Sequence, residues 1–244
     1  MQKEKRKLVR MVKDGKEASF NDKHFHYKYP TFWKWFDTIP KSAKIVEIGC
    51  GTASNTKKLL QMGFSNIHLL DIEDQRTFSE SAMVPRDPLR ALPFTIIDSN
   101  IEPLPFGDGT VDCVIATEVI EHLENPWFFI REIYRVLAPT GVLMLSMPMP
   151  WNFLSRLLYL RKGMLEHYGL THPHHPWAPT KEIFQQTLKG FDLKDAFYSQ
   201  RKKMLIENLL GFSLKFNFPA TKVWCEYACF LFKKNSDPGV IPRW

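Results

Sequence analysis

The stretch Val46-Glu47-Ile48-Gly49-Cys50-Gly51-Thr52-Ala53 decides the fold. With Ile45 before it, an apolar run passes into two glycines and then into Ala53–Met62, a segment of helical character. A buried strand, a tight turn and a helix in that order make the first half of a strand–helix–strand unit. Glycines there permit the turn and leave bare main chain against which a ligand can lie at a helix start. Asp71 stands twenty residues after Gly51, at the end of the next apolar run. A carboxylate in that place accepts hydrogen bonds from both hydroxyls of a ribose. Either feature alone would be a strand end and a solvated acid. Together they read as a nucleoside-binding crevice.

Outward from this turn, Ile45–Ile48, Ile67–Leu70, Phe94–Ile97, Asp112–Ala116 and Val142–Ser146 read as strands, with helices at Ala53–Met62 and Pro126–Leu137. Short apolar runs separated by helices indicate a parallel sheet covered on both faces. Pro30 opens a short aromatic helix that ends before Pro40. Residues 147–179 are rich in Pro, His, Trp and Leu and show no regular period. Thr180–Leu188 reads as a helix capped by Thr180, with Glu182 in its first turn. Phe191–Phe197 and Val223–Phe232 read as the last strands, antiparallel because only an irregular insert joins them. The expected organisation is a basic tail and aromatic helical cap over 1–40, and one doubly wound α/β domain over 41–234. Inserts fall at about 148–179 and 201–218, and 235–244 is a loose tail.

Composition agrees with a globular domain. Of 244 residues 44% are hydrophobic and 24% charged, which excludes disorder, collagen and coiled coil. Val136–Ser155 carries no charge, but Pro139, Gly141, Pro148 and Pro150 would break a spanning helix. The net charge is +7, and residues 1–17 hold +4 of it. That segment lacks the apolar centre of a leader peptide, so a cytoplasmic location is expected. Its bases read as a solvated terminus before they read as a nucleic-acid site. The four cysteines include no Cys-x-x-Cys pair, which argues against a disulfide framework or structural zinc.

The nucleoside is not a dinucleotide by its electrostatics. Ser54 stands where a dinucleotide site prefers Gly or Ala, and Glu47 suits a cation better than a pyrophosphate. S-adenosylmethionine carries an ammonium, a sulfonium and no phosphate. The stretches VEIGCGTAS, LLDIE, DSNIEPLPFGDGTVDCVIATEVIEHLENP and REIYRVLAPTGVLMLS resemble the class I S-adenosylmethionine-dependent methyltransferases. The likeness covers residues 44–147 well and 180–233 loosely, and specifies the family but no substrate. It implies a Rossmann-like seven-stranded sheet, mostly parallel with an antiparallel last strand, and helices on both faces. It also implies that Glu47, Gly49, Cys50 and Gly51 line the methionine end of the cofactor, Glu47 acting through water on the ammonium. Asp71 then holds the ribose and Ile72 packs on adenine. Asp98 or Asn100, beside Ile101, meets the adenine edge, and Thr117 lies near the sulfonium. The family often has a third glycine where this chain has Ala53.

Methyl transfer to a hydroxyl needs the acceptor aligned and its proton removed. Glu118, Glu121 and His122 occupy helical i, i+3 and i+4 positions, which would share one face. His175 lies in the segment that usually covers the acceptor. His122, His175 and Glu121 are therefore the candidate catalytic residues. Some relatives hold a divalent metal with a similar set, here Glu118, Glu121, His122 and His175. Glu-His after the fourth strand is widespread in metal-free members, so a metal is the less favoured reading. His167, His172, His174 and His175 line a pocket or simply compose a loop. Apolar residues with bases at 151–168 and 204–218 read first as packing inserts, and second as a lid over a hydrophobic or membrane-borne acceptor. The expected reaction is methyl transfer to a small-molecule or lipid-like acceptor, oxygen favoured, with S-adenosylhomocysteine as product. The alternatives are an RNA-end or nucleoside methyltransferase using the Glu/His metal set, and a catalytically silent binding relative. Nucleic acid is the disfavoured acceptor, peripheral membrane contact stays open, and oligomeric state is undetermined.

Overall fold

A computed structural model describes residues 30–75, 89–165, 167–168, 174–199, 204–205, 215–216 and 221–243. The basic tail and most of the second insert lie outside the described residues. Seven strands make the main sheet: β1 (Ile45–Ile48), β2 (Ile67–Asp71), β3 (Phe94–Ile96), β4 (Val111–Thr117), β5 (Leu137–Pro148), β6 (Phe191–Tyr198) and β7 (Tyr227–Lys234). Their order is β3-β2-β1-β4-β5-β7-β6. The first five are parallel, and β7 runs antiparallel between β5 and β6. Strand order reverses between β1 and β4, and such a switch point opens a crevice at the carboxyl ends of the strands.

Alternation along each strand assigns its residues to two cores. Val46, Ile48, Val114, Ala116, Leu143 and Leu145 face α3 (Pro126–Val136) and α5 (Lys181–Thr187), packing with Phe129, Ile133 and Phe184. Ile45, Ile67, Leu69, Cys113, Ile115 and Met144 face the other way, toward α1 (Pro30–Lys34) and α2 (Ser54–Gln61), with Phe32, Phe36, Leu59 and Phe64. Each such fully buried large side chain contributes about 1.5–3 kcal/mol. Both faces are covered, which is why the strands read as unbroken apolar runs.

Local chemistry sets the helix starts. Asn125 caps α3, its side chain accepting from Phe128 N with Pro126 in the first turn. Thr180 caps α5 by accepting from Ile183 N at 3.3 Å. Ala53 begins α2 without a side-chain cap and with φ +57°. Left-handed backbone costs an alanine about 1–2 kcal/mol that glycine avoids, which accounts for the glycine the family often has there.

Four expectations differ from the structure. Residues 147–179 contain a helix, α4 (Phe153–Lys162), capped by Asn152 and ended by Gly163 at φ +66°. Its only buried residue is Ser155, and Phe153, Leu157, Tyr159 and Leu160 are exposed, so its apolar residues do not mark a core-facing side. The last strand begins at Tyr227 instead of Val223, because Trp224 N and Cys225 N turn back onto Thr221 O. The segment read as a loose tail is tied to the domain through Tyr134 Oη to Asn235 O, Gly190 N to Val240 O and Gln185 Nε2 to Pro242 O. Finally, Glu118, Glu121 and His122 do not share an α-helical face. Glu118 has φ +55°, and Ile120–His122 is a single 3-10 turn.

Candidate active site

The chain leaves β1 through Gly49 at φ +67° and Gly51 at φ +49°. A Cβ on Gly49 would lie 2.4 Å from Val119 Cγ2, so the loop after β4 closes against bare main chain. At Gly51 nothing lies within 4 Å of such an atom. That open side faces a hollow of about 370 Å³ between the glycine turn, the end of β2, the 97–100 loop and the 118–123 loop.

Asp71 bridges two of these walls. Its Oδ2 accepts Gly51 N and its Oδ1 accepts Ile72 N, both at 2.7 Å. Asn100 N donates to Asp98 Oδ1 at 2.9 Å, and Asn100 Oδ1 accepts Glu124 N at 2.8 Å, tying the third wall to the fourth. The fourth wall starts at Glu118, whose left-handed backbone is strained for a non-glycine residue. Ser146, which the sequence did not single out, holds that residue: its Oγ donates to Glu118 Oε1 at 2.7 Å and accepts Glu118 N at 3.1 Å. Burial raises the Glu118 carboxyl to about 7, against the lowering effect of Ser146.

Of the residues expected to bind cofactor, Gly49, Gly51, Asp71, Ile72, Asp98 and Asn100 line the hollow. Cys50 and Ile101 are not on its wall; Cys50 is buried and Ile101 is exposed. Glu47 sits beneath α2, where Oε1 accepts Asn55 Nδ2 at 3.0 Å and Oε2 accepts the Thr56 hydroxyl. Burial raises it to about 7 in spite of those bonds. Asn55 Nδ2 also reaches Thr117 Oγ1 at 3.0 Å, so the Thr117 hydroxyl meets α2. Asn55 and Thr56 carry no sequence signal, since both look like ordinary polar helix residues.

At one edge of the hollow Glu121, His122 and His175 converge, their ligand-capable atoms within 4.8 Å of one another. His122 lines the hollow; Glu121 and His175 do not. His122 Nδ1 lies 2.9 Å from His174 O and His175 Nδ1 2.6 Å from His167 O. A carbonyl only accepts, so both Nδ1 atoms carry hydrogen, and the neutral form of either ring has its lone pair at Nε2. Burial lowers the His122 pKa. Both Glu121 carboxylate oxygens are buried with no hydrogen-bond partner among the described residues. Burial first, then the neighbouring Glu118, pushes its pKa well up.

Residues 46–145 match the methyltransferase-domain family. The chain carries a class I methyltransferase domain. Two curated relatives agree. The 2-methyl-6-phytyl-1,4-hydroquinone methyltransferase of Synechocystis is 27% identical over 120 residues, 49% of this chain and 36% of that protein. A Mycolicibacterium smegmatis protein named "Probable S-adenosylmethionine-dependent methyltransferase" is 32% identical over 104 residues, 43% of this chain and 37% of that one. The match therefore spans little more than a third of each relative. Among solved structures, a Haloferax volcanii methyltransferase in complex with the Trm112 methyltransferase activator superposes with a TM-score of 0.57. It is 15% identical, with 89% of this chain and 95% of that one covered, and shows the fold.

The cofactor of this family is S-adenosylmethionine. The methyltransferase domain's hollow fits it: Asp71, Asp98 and Glu118 line the wall and, among the described residues, no lysine or arginine does. An acid-lined hollow suits a sulfonium and an ammonium and disfavours a pyrophosphate. Gly51 leaves the required space, and each Asp71 oxygen keeps a lone pair for a ribose hydroxyl.

Proposed function

We propose that the chain transfers a methyl group to the oxygen of a small or lipid-like acceptor. The observation that carries this reading is the continuity of the acid-lined hollow with a histidine whose Nε2 lone pair is available. When bound, S-adenosylmethionine supplies an electrophilic methyl group. Asp71 holds the sugar and thereby the register of the cofactor; Asp98 or Asn100 meets the base, and Ile72 packs on it. His122, kept neutral by burial and oriented by the His174 carbonyl, takes the acceptor's proton at Nε2. His175 packs edge-on against it with ring centroids 4.5 Å apart and holds its orientation. The Synechocystis relative's name gives a phytyl-bearing acceptor, which supports a lipid-like molecule. We place the activity in the cytoplasm; all four cysteines are buried thiols, in keeping with a reducing compartment. Among the described residues no helix is long and apolar enough to cross a membrane.

A second reading rests on Glu121. A buried carboxylate without a hydrogen-bond partner calls for a proton or a cation. With the ligand-capable atoms of His122 and His175 within 4.8 Å of it, the set is chemically suited to a divalent ion, which would supply Lewis-acid alignment of the acceptor oxygen. Calorimetry with S-adenosylhomocysteine tests the shared core of both readings, and absence of binding rejects them. Incubation of cell extract with protein and cofactor should then yield a product 14 daltons heavier. Turnover abolished by chelator and restored by Mg²⁺ or Mn²⁺ selects the metal reading; turnover indifferent to chelator selects His122 as base. Binding without any methylated product would reduce the chain to a silent relative.

A further inference from the structure

A second cavity shares no lining residue with the cofactor hollow. It encloses about 280 Å³ between the starts of α4 and α5 and the sheet at Tyr198 and Phe230, just under the usual range for ligand pockets. Its inner surface is apolar. Phe230 and Met149 form it at 1% and 3% exposure. Trp151 adds a wall, and because its Nε1 already donates to Pro179 O at 2.6 Å, the ring is left for apolar contact.

The rim has the opposite character. Arg156, Lys181 and Lys222 surround the opening, and no carboxylate among the described residues lines it. Elsewhere in the domain bases meet acids, as Arg135 meets Asp108 and Glu132, and Lys194 meets Asp192. These three make no side-chain ion pair or hydrogen bond among the described residues. Three like charges about one apolar opening repel one another, and a bound anion relieves that repulsion. A free inorganic anion would leave the apolar surface wet, and a neutral hydrocarbon would leave the cations unmatched. A molecule with both parts satisfies both.

We propose that this cavity is a second ligand site, binding an amphiphile whose apolar body rests on Phe230, Met149 and Trp151 while its phosphate or carboxylate group is held by Arg156, Lys181 and Lys222. Charge-assisted hydrogen bonds from a guanidinium and two ammonium groups hold the anionic end. Tyr198 also lines the cavity. The inference does not depend on methyl transfer, since it uses none of the residues assigned to that chemistry.

The test compares three probes on the full chain at physiological salt, read by calorimetry and tryptophan fluorescence: octyl phosphate, octanol and inorganic phosphate. Octyl phosphate should saturate one site at least tenfold more tightly than either of the others. The Arg156→Gln/Lys222→Gln double variant should lose at least tenfold in octyl phosphate affinity with S-adenosylhomocysteine affinity unchanged. Octanol binding as tightly would show a purely apolar cleft, and inorganic phosphate binding as tightly a plain anion site; either overturns the proposal. So does a double variant that binds octyl phosphate like the wild type. If the double variant misfolds, the three-probe comparison on the wild type still decides. Failure of the wild type to bind S-adenosylhomocysteine would strike the methyl-transfer reading and leave this one standing.

Discussion

Replacing Glu47 by glutamine should stabilise the protein above neutral pH and leave it nearly unchanged in mild acid. Glu47 is 1% exposed, and burial lifts its pKa from 4.5 to about 7 although Asn55 and Thr56 both donate to it. The unfolded chain ionises this group above about pH 4.5, and the folded chain only above about 7. Between those values the folded state holds the extra proton, so stability falls as pH rises and levels off once both states are ionised. A rise from 4.5 to about 7 corresponds to about 3 kcal/mol lost by pH 8. Glutamine cannot ionise and has the shape of the protonated acid. Its amide can also donate to Asn55 Oδ1, which is buried without a partner among the described residues. Urea unfolding of wild type and Glu47→Gln at pH 5, 6, 7 and 8 measures the effect. Tryptophan fluorescence is a suitable signal, because Trp33 and Trp35 pack in the same core as α2. Glu118 and Glu121 are also raised and bend both curves alike, so only the difference between them reports Glu47. That difference should grow by about 2.5 kcal/mol in the variant's favour from pH 5 to pH 8. A difference constant within about 0.5 kcal/mol would refute the argument, because Glu47 would then be ionised in the native state at neutral pH.

Asp71→Ala removes two bonds from a charged acceptor to the ribose, together about 3 kcal/mol, so S-adenosylhomocysteine affinity by calorimetry should fall roughly 100-fold; an unchanged affinity rejects the assignment. Gly49→Ala forces a methyl to 2.4 Å from Val119 Cγ2 at φ +67°, and should lower unfolding free energy by at least about 2 kcal/mol. Gly51→Ala meets no protein atom and should cost only about 1 kcal/mol of stability, while its methyl obstructs cofactor binding; equal stability losses at the two glycines would contradict this division. His122→Ala should reduce turnover about 100-fold without altering S-adenosylhomocysteine affinity. The wild-type rate should rise with pH to a plateau whose midpoint lies below the ordinary histidine value, since burial lowers that pKa; a midpoint above 6.5 removes His122 as the base.

The glycine turn, Asp71 and the first four strands were legible because each is a local property. A left-handed turn demands glycine at Gly49, a buried strand demands an apolar run, and Asn125-Pro126 and Thr180 start helices by bonds made within one turn. Helix α4 was not read, although Asn152 and Gly163 stand at its ends, because its apolar residues Phe153, Leu157, Tyr159 and Leu160 are exposed and mark no single buried face. The geometry after β4 also escaped, since a left-handed Glu118 held by Ser146 replaces the helix that the spacing suggests.

The sequence by itself determined the order of the strands and of every helix but α4, the open turn after β1 and the acid that faces it, all of which follow from backbone freedom and side-chain period over a few residues. Only the tertiary structure decided that Glu47 is sealed beneath α2, that Glu121 loses its solvent beside a histidine from 54 positions further along the chain, and that backbone carbonyls set the tautomers of His122 and His175. Those properties depend on which distant groups exclude water or supply an acceptor, and distance along the chain carries no record of that.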